Sequence, residues 1–183
     1  MELNKKDIAV RHTIQAIRMF FHKEDPVSTL VIACAANHIL NTLVSKQNLP
    51  IIIGYRGGLV KLFAKKEDLN KMDEKRNEAY NFFKHAEKDY DKTINFNPDL
   101  VWYFILENII YITQLDIEYS QEMAYFVFWL RYSKRNLFVK NKHFDDFIKN
   151  FSITPDDFFD LYDELINKQF SKDILQNFKK WIF

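Results

Sequence analysis

Residues that build tight turns are scarce in this sequence. The 183 residues include three glycines and four prolines, whereas an antiparallel sheet needs such residues wherever the chain reverses. The scarcity therefore argues against a β fold and favours helices joined by short connections. One hydrophobic core usually serves chains of up to about 250 residues. We therefore predict a single all-α domain spanning residues 1–183.

Cysteine is nearly absent, and long apolar runs are missing. Cys34 is the only cysteine, so no intramolecular disulfide can form, and a reducing compartment is favoured. The N-terminal segment lacks the apolar stretch of a secretory signal. Apolar runs such as residues 30–36 and 51–53 are far shorter than the ~20 residues that span a bilayer. These absences predict a cytoplasmic protein with no membrane partner.

An excess of charge of either sign is also missing. Lysine and arginine total 26 and aspartate and glutamate 25, which gives a net charge of +1. No global field would therefore attract a nucleic acid or an anionic membrane. A nucleic acid stays open as a partner, without support from the net charge, and only through a local surface.

Apolar side chains recur at helical spacing along most of the chain. The 18 Phe, 9 Tyr and 3 Trp residues predict a strongly aromatic core. The pattern predicts a single bundle of about seven helices, with one irregular segment at residues 48–64 that holds all three glycines. The helices predicted at residues 28–44 and 100–115 are nearly all apolar and should lie at its centre.

Helix ends can also be predicted from local chemistry. Pro26 should end the first helix, because the residue before a proline avoids helical geometry, and the hydroxyl of Ser28 should then cap the second. Asn97 followed by Pro98 is typical of a helix start, with the proline in the first helical position.

One predicted helix carries more aromatic side chains than a single face can bury. Such a surplus is typical of a surface that binds another copy of the chain, so we predict a homo-oligomer. The residues concerned are Phe126, Phe128, Trp129 and Tyr132.

The segment 76–89 holds the candidate site residues. Helical spacing allows Asn81, Lys84 or His85, and Asp89 to share one face. In a catalytic interpretation Asp89 orients the imidazole of His85, which acts as general acid or base, while Lys84 or Arg76 holds a phosphate. The structural alternative is a helix C-terminus at which Lys84 and His85 complement the helix dipole. The candidates are thus His85 and Asp89 for catalysis, and Arg76, Asn81 and Lys84 for binding.

Other catalytic patterns are missing from the sequence. The five histidines never stand at the i, i+4 spacing that presents two imidazoles to one metal ion. No Gly-x-Ser-x-Gly elbow occurs either. We therefore predict neither a metal site nor a cofactor.

Three blocks, DPVSTLVIACAANHIL, YNFFKHAEKDYDKTINFNPDL and EMAYFVFWLRYSKRNLF, resemble those of an uncharacterised bacterial family. Its members carry DPVS-x-x-T-L, NFFKHAD-x-D and FNP motifs in the same order. The resemblance covers about residues 14–138 and implies a small, all-helical cytoplasmic protein. Leu30 stands near the position of a usual histidine, and Glu87 replaces an aspartate, so a function that needs that histidine would be impaired here.

A more distant similarity is to HEPN (higher eukaryotes and prokaryotes nucleotide-binding) domains. These helical bundles often act as metal-independent ribonucleases through an arginine followed, after four to six residues, by a histidine. Here eight residues separate Arg76 from His85, and Tyr80 occupies the place of the arginine. The similarity therefore concerns the general character of the helix, and the arginine-to-histidine spacing of HEPN ribonucleases is not matched.

Two functional classes remain open on these grounds. The first is a non-enzymatic interaction or regulatory protein of bacterial or mobile-element origin. The second is a HEPN-like metal-independent ribonuclease, or another nucleic-acid-processing enzyme, that uses His85. An electropositive cleft lined by Arg76, Lys84 and His85 would favour the enzyme, whereas side chains that point separately to solvent would favour the interaction protein.

Overall fold

The computed structural model describes residues 2–49, 78–85, 90–135, 142–149 and 152–168. Every regular element in these ranges is a helix, which confirms the all-α prediction and a number of helices close to seven. Residues 78–84 are also helical. Residues 50–64 of the predicted irregular segment lie outside the described residues. The helices are α1 (Lys5–Phe21), α2 (Pro26–Lys46), α3 (Leu100–Gln114), α4 (Gln121–Ser133), α5 (Lys142–Ile148), α6 (Asp157–Asp160) and α7 (Tyr162–Asn167).

The first two helices form a hairpin, and its turn differs from the prediction. The carboxylate of Asp25, three residues before the expected cap, accepts hydrogen bonds from the backbone N–H of Ser28 (2.8 Å) and from its hydroxyl (2.6 Å). Helix α2 therefore begins at Pro26, whose missing N–H costs nothing in the first helical position. The cap is thus Asp25, and Ser28 donates to it.

Helix α3 also begins slightly later than its sequence predicts. The side-chain oxygen of Asn97 accepts from the backbone N–H of Asp99 at 3.0 Å, and the carbonyl of Asn97 accepts from the N–H of Leu100. Pro98 therefore belongs to the turn that precedes the helix. The physical reason is that an asparagine side chain can close a turn two residues on as readily as it caps a helix.

Helix α2 is the longest of the described helices and is largely apolar. Its 21 residues and mean hydropathy of 1.6 would suffice, by length and composition alone, to cross a membrane, and 44% of its most apolar window is buried inside the protein. The core helix of a soluble protein meets the same criteria. Its contacts with α1 and α3 explain the apolar composition, and the cytoplasmic location stays a prediction.

A polar cluster joins α2 to α3 inside the core. The side-chain N–H₂ of Asn37 donates to a carboxylate oxygen of Glu107 and to the side-chain oxygen of Asn108, both at 3.1 Å. Asn108 in turn donates to the carbonyl of Ala33 at 2.9 Å. Glu107 and Asn108 are fully buried, so these bonds compensate groups that have lost their contact with water. The cluster sets the register of α2 against α3.

Helix α4 is the most enclosed of the described helices. All ten residues from 122 to 131 are buried. Phe126 and Trp129 contact Phe20 of α1, with ring centroids 5.8 and 4.8 Å apart. On another side of α4, Phe128 lies 5.3 Å from Phe158 of α6. The centre of the bundle therefore includes α4 as well as α2 and α3.

This packing removes the premise on which self-association was predicted. Phe126, Phe128 and Trp129 are buried, and Tyr132 is half-buried with its hydroxyl donating to the carbonyl of Ile153 at 2.5 Å. The aromatic surplus of α4 is thus covered by α1, α5 and α6 of the same chain. The premise was wrong because periodicity reveals an apolar face and not the element that covers it. A homo-oligomer stays a prediction without this support.

Replacing Asn108 by alanine should lower the free energy of unfolding by about 1–3 kcal/mol, because the amide of Asn37 and the carbonyl of Ala33 would lose a buried partner. Urea unfolding followed by circular dichroism measures the change. Asn167→Ala, at an exposed position on α7, is the matched control and should stay within about 0.5 kcal/mol of the wild type. Equal effects at the two positions would contradict a stabilising role for the cluster.

Asp25→Ala should lower the Tm, with an effect that depends on pH. The hydrogen bonds from Ser28 hold the pKa of the Asp25 carboxyl below its ordinary value of 3.8. Because the folded pKa is the lower one, this stabilisation is complete above the ordinary pKa and is lost as the pH falls through the folded pKa. The Tm values of the variant and the wild type should therefore differ at about pH 7 and converge near about pH 2. Asp25→Asn keeps an acceptor and should lose less, and a constant difference across the range would contradict this account.

Candidate functional site

The helical segment 78–84 is held against the core by aromatic contacts. Ala79 is buried, and Phe83 packs on the core with its ring centroid 5.3 Å from that of Phe96. Phe82 is half-buried and contacts Phe83 edge to face at 6.0 Å. These contacts connect the end of the segment to the chain just before α3. The candidate residues therefore lie on an anchored element.

Three of the five predicted site residues are described, and all three are exposed. They are Asn81, Lys84 and His85. The backbone N–H of His85 donates to the carbonyl of Asn81 at 3.0 Å, which closes the last turn. The ammonium of Lys84 lies over the ring of Tyr80, 5.4 Å from its centroid. Their position at the end of a helical turn fits the structural alternative as well as a binding role.

The other two predicted residues, Arg76 and Asp89, lie outside the described residues. The pairing of Asp89 with His85 therefore stays a prediction, as does a phosphate contact from Arg76. The described residues bring Asn81, Lys84 and His85 to one place on the surface.

A large aromatic side chain stands exposed in the chain that follows. Tyr90 is 85% exposed, and Leu3 at 38% is the other exposed large apolar side chain among the described residues. Five residues of chain reach at most about 18 Å, so Tyr90 lies within that distance of His85. We call Asn81, Lys84, His85 and Tyr90 the end surface. Tyr90 carried no periodic signal, because it lies in a loop.

The strongest ion pair of the described chain lies elsewhere. The guanidinium of Arg18 donates to Glu122 at 2.6 Å, which raises the pKa of Arg18. Burial raises the pKa of Tyr162 beside them. Nearby, His22 lies 2.9 Å from a carboxylate oxygen of Asp163. These groups connect α1 to α4 and α7, and their contacts are accounted for by the packing of those helices.

A cleft of about 470 Å³ opens where the start of α1 meets residues 117–121. Its lining includes Lys6 and Arg11 together with Asp7 and Glu118. Tyr119 also lines it, with a buried hydroxyl that has no hydrogen-bond partner and a pKa raised by burial. Because the lining carries charges of both signs, it favours neither an anionic nor a cationic ligand.

Sequence reasoning missed the buried polar cluster of Asn37, Glu107 and Asn108. A signal was available, since Glu107 is the one charged residue in the otherwise apolar helix α3. Lone polar residues on apolar helices are usually hydrogen-bonded inside the core. Within the residues that the structure describes, no three His, Cys, Asp or Glu side chains come together as metal ligands would.

Comparison of the chain with protein-family models, with curated proteins and with solved structures found no match. The resemblances to the bacterial family and to HEPN domains therefore stay predictions. The described architecture defines an all-α protein, in which Lys84 and His85 lie at the end of the helical segment 78–84.

Phe96→Ala should loosen the segment that carries the end surface, because the ring of Phe83 would lose its edge-to-face partner. Hydrogen exchange should then be faster at the backbone N–H of His85, which closes the last turn. The amides of α3 should keep their protection, since they belong to the main core. Exchange that accelerates equally at both places would indicate global destabilisation and contradict the local anchoring.

Proposed function

We propose that this chain is a non-enzymatic protein that acts by binding another macromolecule through the end surface. The observation that carries the proposal is the 85% exposure of Tyr90, within about 18 Å of the exposed donor His85 and in the same stretch of chain as Lys84. Tyrosine is enriched among the residues that dominate binding energy, and a ring held in water gains most from being covered by a partner.

The exposure of the candidate residues favours binding over catalysis. A catalytic imidazole usually sits in a cleft, where burial and a charged neighbour tune its pKa. His85, Lys84 and Asn81 are instead exposed. Side chains in that state can form hydrogen bonds to a partner, but they do not exclude water from a reaction.

The anchoring of the end surface also supports the proposal. Phe83 and Phe96 hold the helical segment and the following loop together at 5.3 Å, so a partner would meet a preorganised set of side chains. Preorganisation reduces the entropy lost on binding. In this proposal the protein has a regulatory role in a bacterial cytoplasm, which the resemblance to the bacterial family and the single cysteine favour.

Photo-crosslinking tests whether the end surface meets a partner. With benzoylphenylalanine in place of Tyr90 in the full chain, irradiation in cells should yield a discrete adduct, because the photoreactive ring would lie against the partner. Nuclease and protease treatment of the adduct identifies its class. Gel mobility of the purified adduct measures its yield.

The matched control carries the same group in place of Leu3, the other exposed large apolar side chain. It should give several-fold less adduct, and Lys84→Ala combined with His85→Ala should reduce the adduct formed at position 90. Equal adduct at positions 3 and 90 would mean that exposure alone drives the reaction, and the proposal would fail.

A further inference from the structure

Cations at the end of the bundle stand over aromatic rings. The ammonium of Lys134 lies 5.7 Å from the ring centroid of Trp102. The guanidinium of Arg135 lies 4.8 Å from the ring of Tyr132, and its Nε donates to the carbonyl of Tyr132 at 3.3 Å. Lys84 makes a third contact of this kind with a tyrosine. Each ring orients a positive charge near the surface.

The helices bring these cations to the same end of the molecule. Trp102 lies in the first turn of α3, and Lys134 directly follows α4, so the start of α3 meets the end of α4. Phe96, which anchors the segment ending at Lys84, lies four residues before α3. Phe96 thus links the end surface to the chain that leads into α3, and the first turn of α3 contacts Lys134.

The charge is locally strong although the whole chain is nearly neutral. Residues 131–142 contain five basic and no acidic side chains, whereas residues 156–164 contain five acidic and no basic ones. Arg131 is buried over Phe144, whereas Lys134 is half-buried and Arg135 and Lys142 are exposed; Lys134 and Arg135 are the two that stand over aromatic rings at the end of α4. Neither of them forms an ion pair in the part of the chain that the structure describes.

The acidic residues within 156–164 lie at α6 and the start of α7, and α6 packs away from Lys134. Helix α6 contacts α4 through Phe158, which lies 5.7 Å from Tyr125, 5.3 Å from Phe128 and 5.3 Å from Tyr132. Lys134 instead lies against α3, through Trp102. Asp99 accepts a hydrogen bond from the indole of Trp102 at 3.0 Å but forms no ion pair with Lys134, so within the described residues the ammonium is available to an anionic partner.

We infer that this end of the bundle binds a single-stranded nucleic acid, which rests on the proposed function of the end surface. Lysine and arginine contact the phosphates, and aromatic rings beside them accept unstacked bases. An acidic protein would satisfy the cations but has no bases to stack on the rings. A duplex would satisfy the cations too, but its bases are already stacked and cannot cover an aromatic ring.

Fluorescence anisotropy with fluorescein-labelled single strands of about 12 nucleotides tests the inference on the full chain. RNA and DNA strands of the same sequence are measured separately, and the strand that binds more tightly identifies the class of the natural ligand. Binding should weaken with salt. Lys134→Gln combined with Arg135→Gln should weaken it at least about tenfold in low salt and flatten the slope of log K against log salt by about 1.4, for two lost phosphate contacts.

Lys6→Gln is the matched control. Lys6 is exposed beside residues 117–121, which precede α4, so it lies at the opposite end of that helix from Lys134. This variant should bind like the wild type. Trp102→Phe preserves a ring and should fold; made in a Trp181→Phe background, it should abolish the quenching of tryptophan emission by the unlabelled strand, since the remaining Trp129 is buried.

Three results would overturn the inference. In the first, neither the RNA nor the DNA strand binds. In the second, polyphosphate with the same number of charges binds as tightly as the strand. In the third, Lys6→Gln loses as much affinity as the double variant. A position-90 adduct that resists nuclease and yields to protease would retain the proposed function while rejecting a nucleic acid. If the wild type cleaves the strand and His85→Ala does not, the non-enzymatic role would be rejected, whereas a nucleic acid would be retained as the ligand.

Discussion

The hydrogen bonds buried between α2 and α3 constrain how the rest of the bundle can form. Glu107 and Asn108 are fully buried, and each would be strongly destabilising if the helices met in another register. Asn37 can reach both of them at 3.1 Å in the observed register. An apolar interface of the same size would tolerate sliding by a turn. The polar groups therefore select one arrangement of two helices that are otherwise almost uniformly apolar.

The position of α3 then determines where its neighbours end. Residues 115–120 return the chain into α4, so the end of α4 lies beside the start of α3, as the contact of Lys134 with Trp102 shows. The aromatic side chains of α4 are covered by α1 on one side and by α6 on another. Little apolar surface of α4 is left for a partner. Among the described residues, those still accessible at this end include the cations Lys134 and Arg135, the exposed ring of Tyr90 and the half-buried ring of Trp102.

The distribution of charge follows from the same packing. The acidic residues of α6 and α7 lie on helices that bury Phe158 and Tyr162 against α4, which leaves their carboxylates at the surface. Lys134, which directly follows α4, lies against Trp102 of α3. A net charge of +1 thus conceals regions of opposite sign, and each can act within about a Debye length of the surface. Global composition is a poor guide to partners when opposite charges occupy different faces.

The sequence by itself determined the helices and several of their ends. Apolar spacing predicted α1 and α3 to within a few residues, because the 3.6-residue period is a local property. Local chemistry also placed Lys84 and His85 at the end of a helical segment. The cap of α2 was misassigned by three residues, since Asp25 and Ser28 can each accept the hydrogen bond and only the folded backbone selects one.

Tertiary structure alone decided what each helix meets. Arg18 and Glu122 are 104 residues apart in the chain yet 2.6 Å apart in space, and no local pattern encodes that pairing. Periodicity likewise predicted an apolar stripe on α4 but could not show that α1 and α6 cover it. The position of Lys134 over Trp102 arises in the same way. Local spacing specifies which side chains share a face, whereas the partner of that face depends on long-range packing of the whole chain.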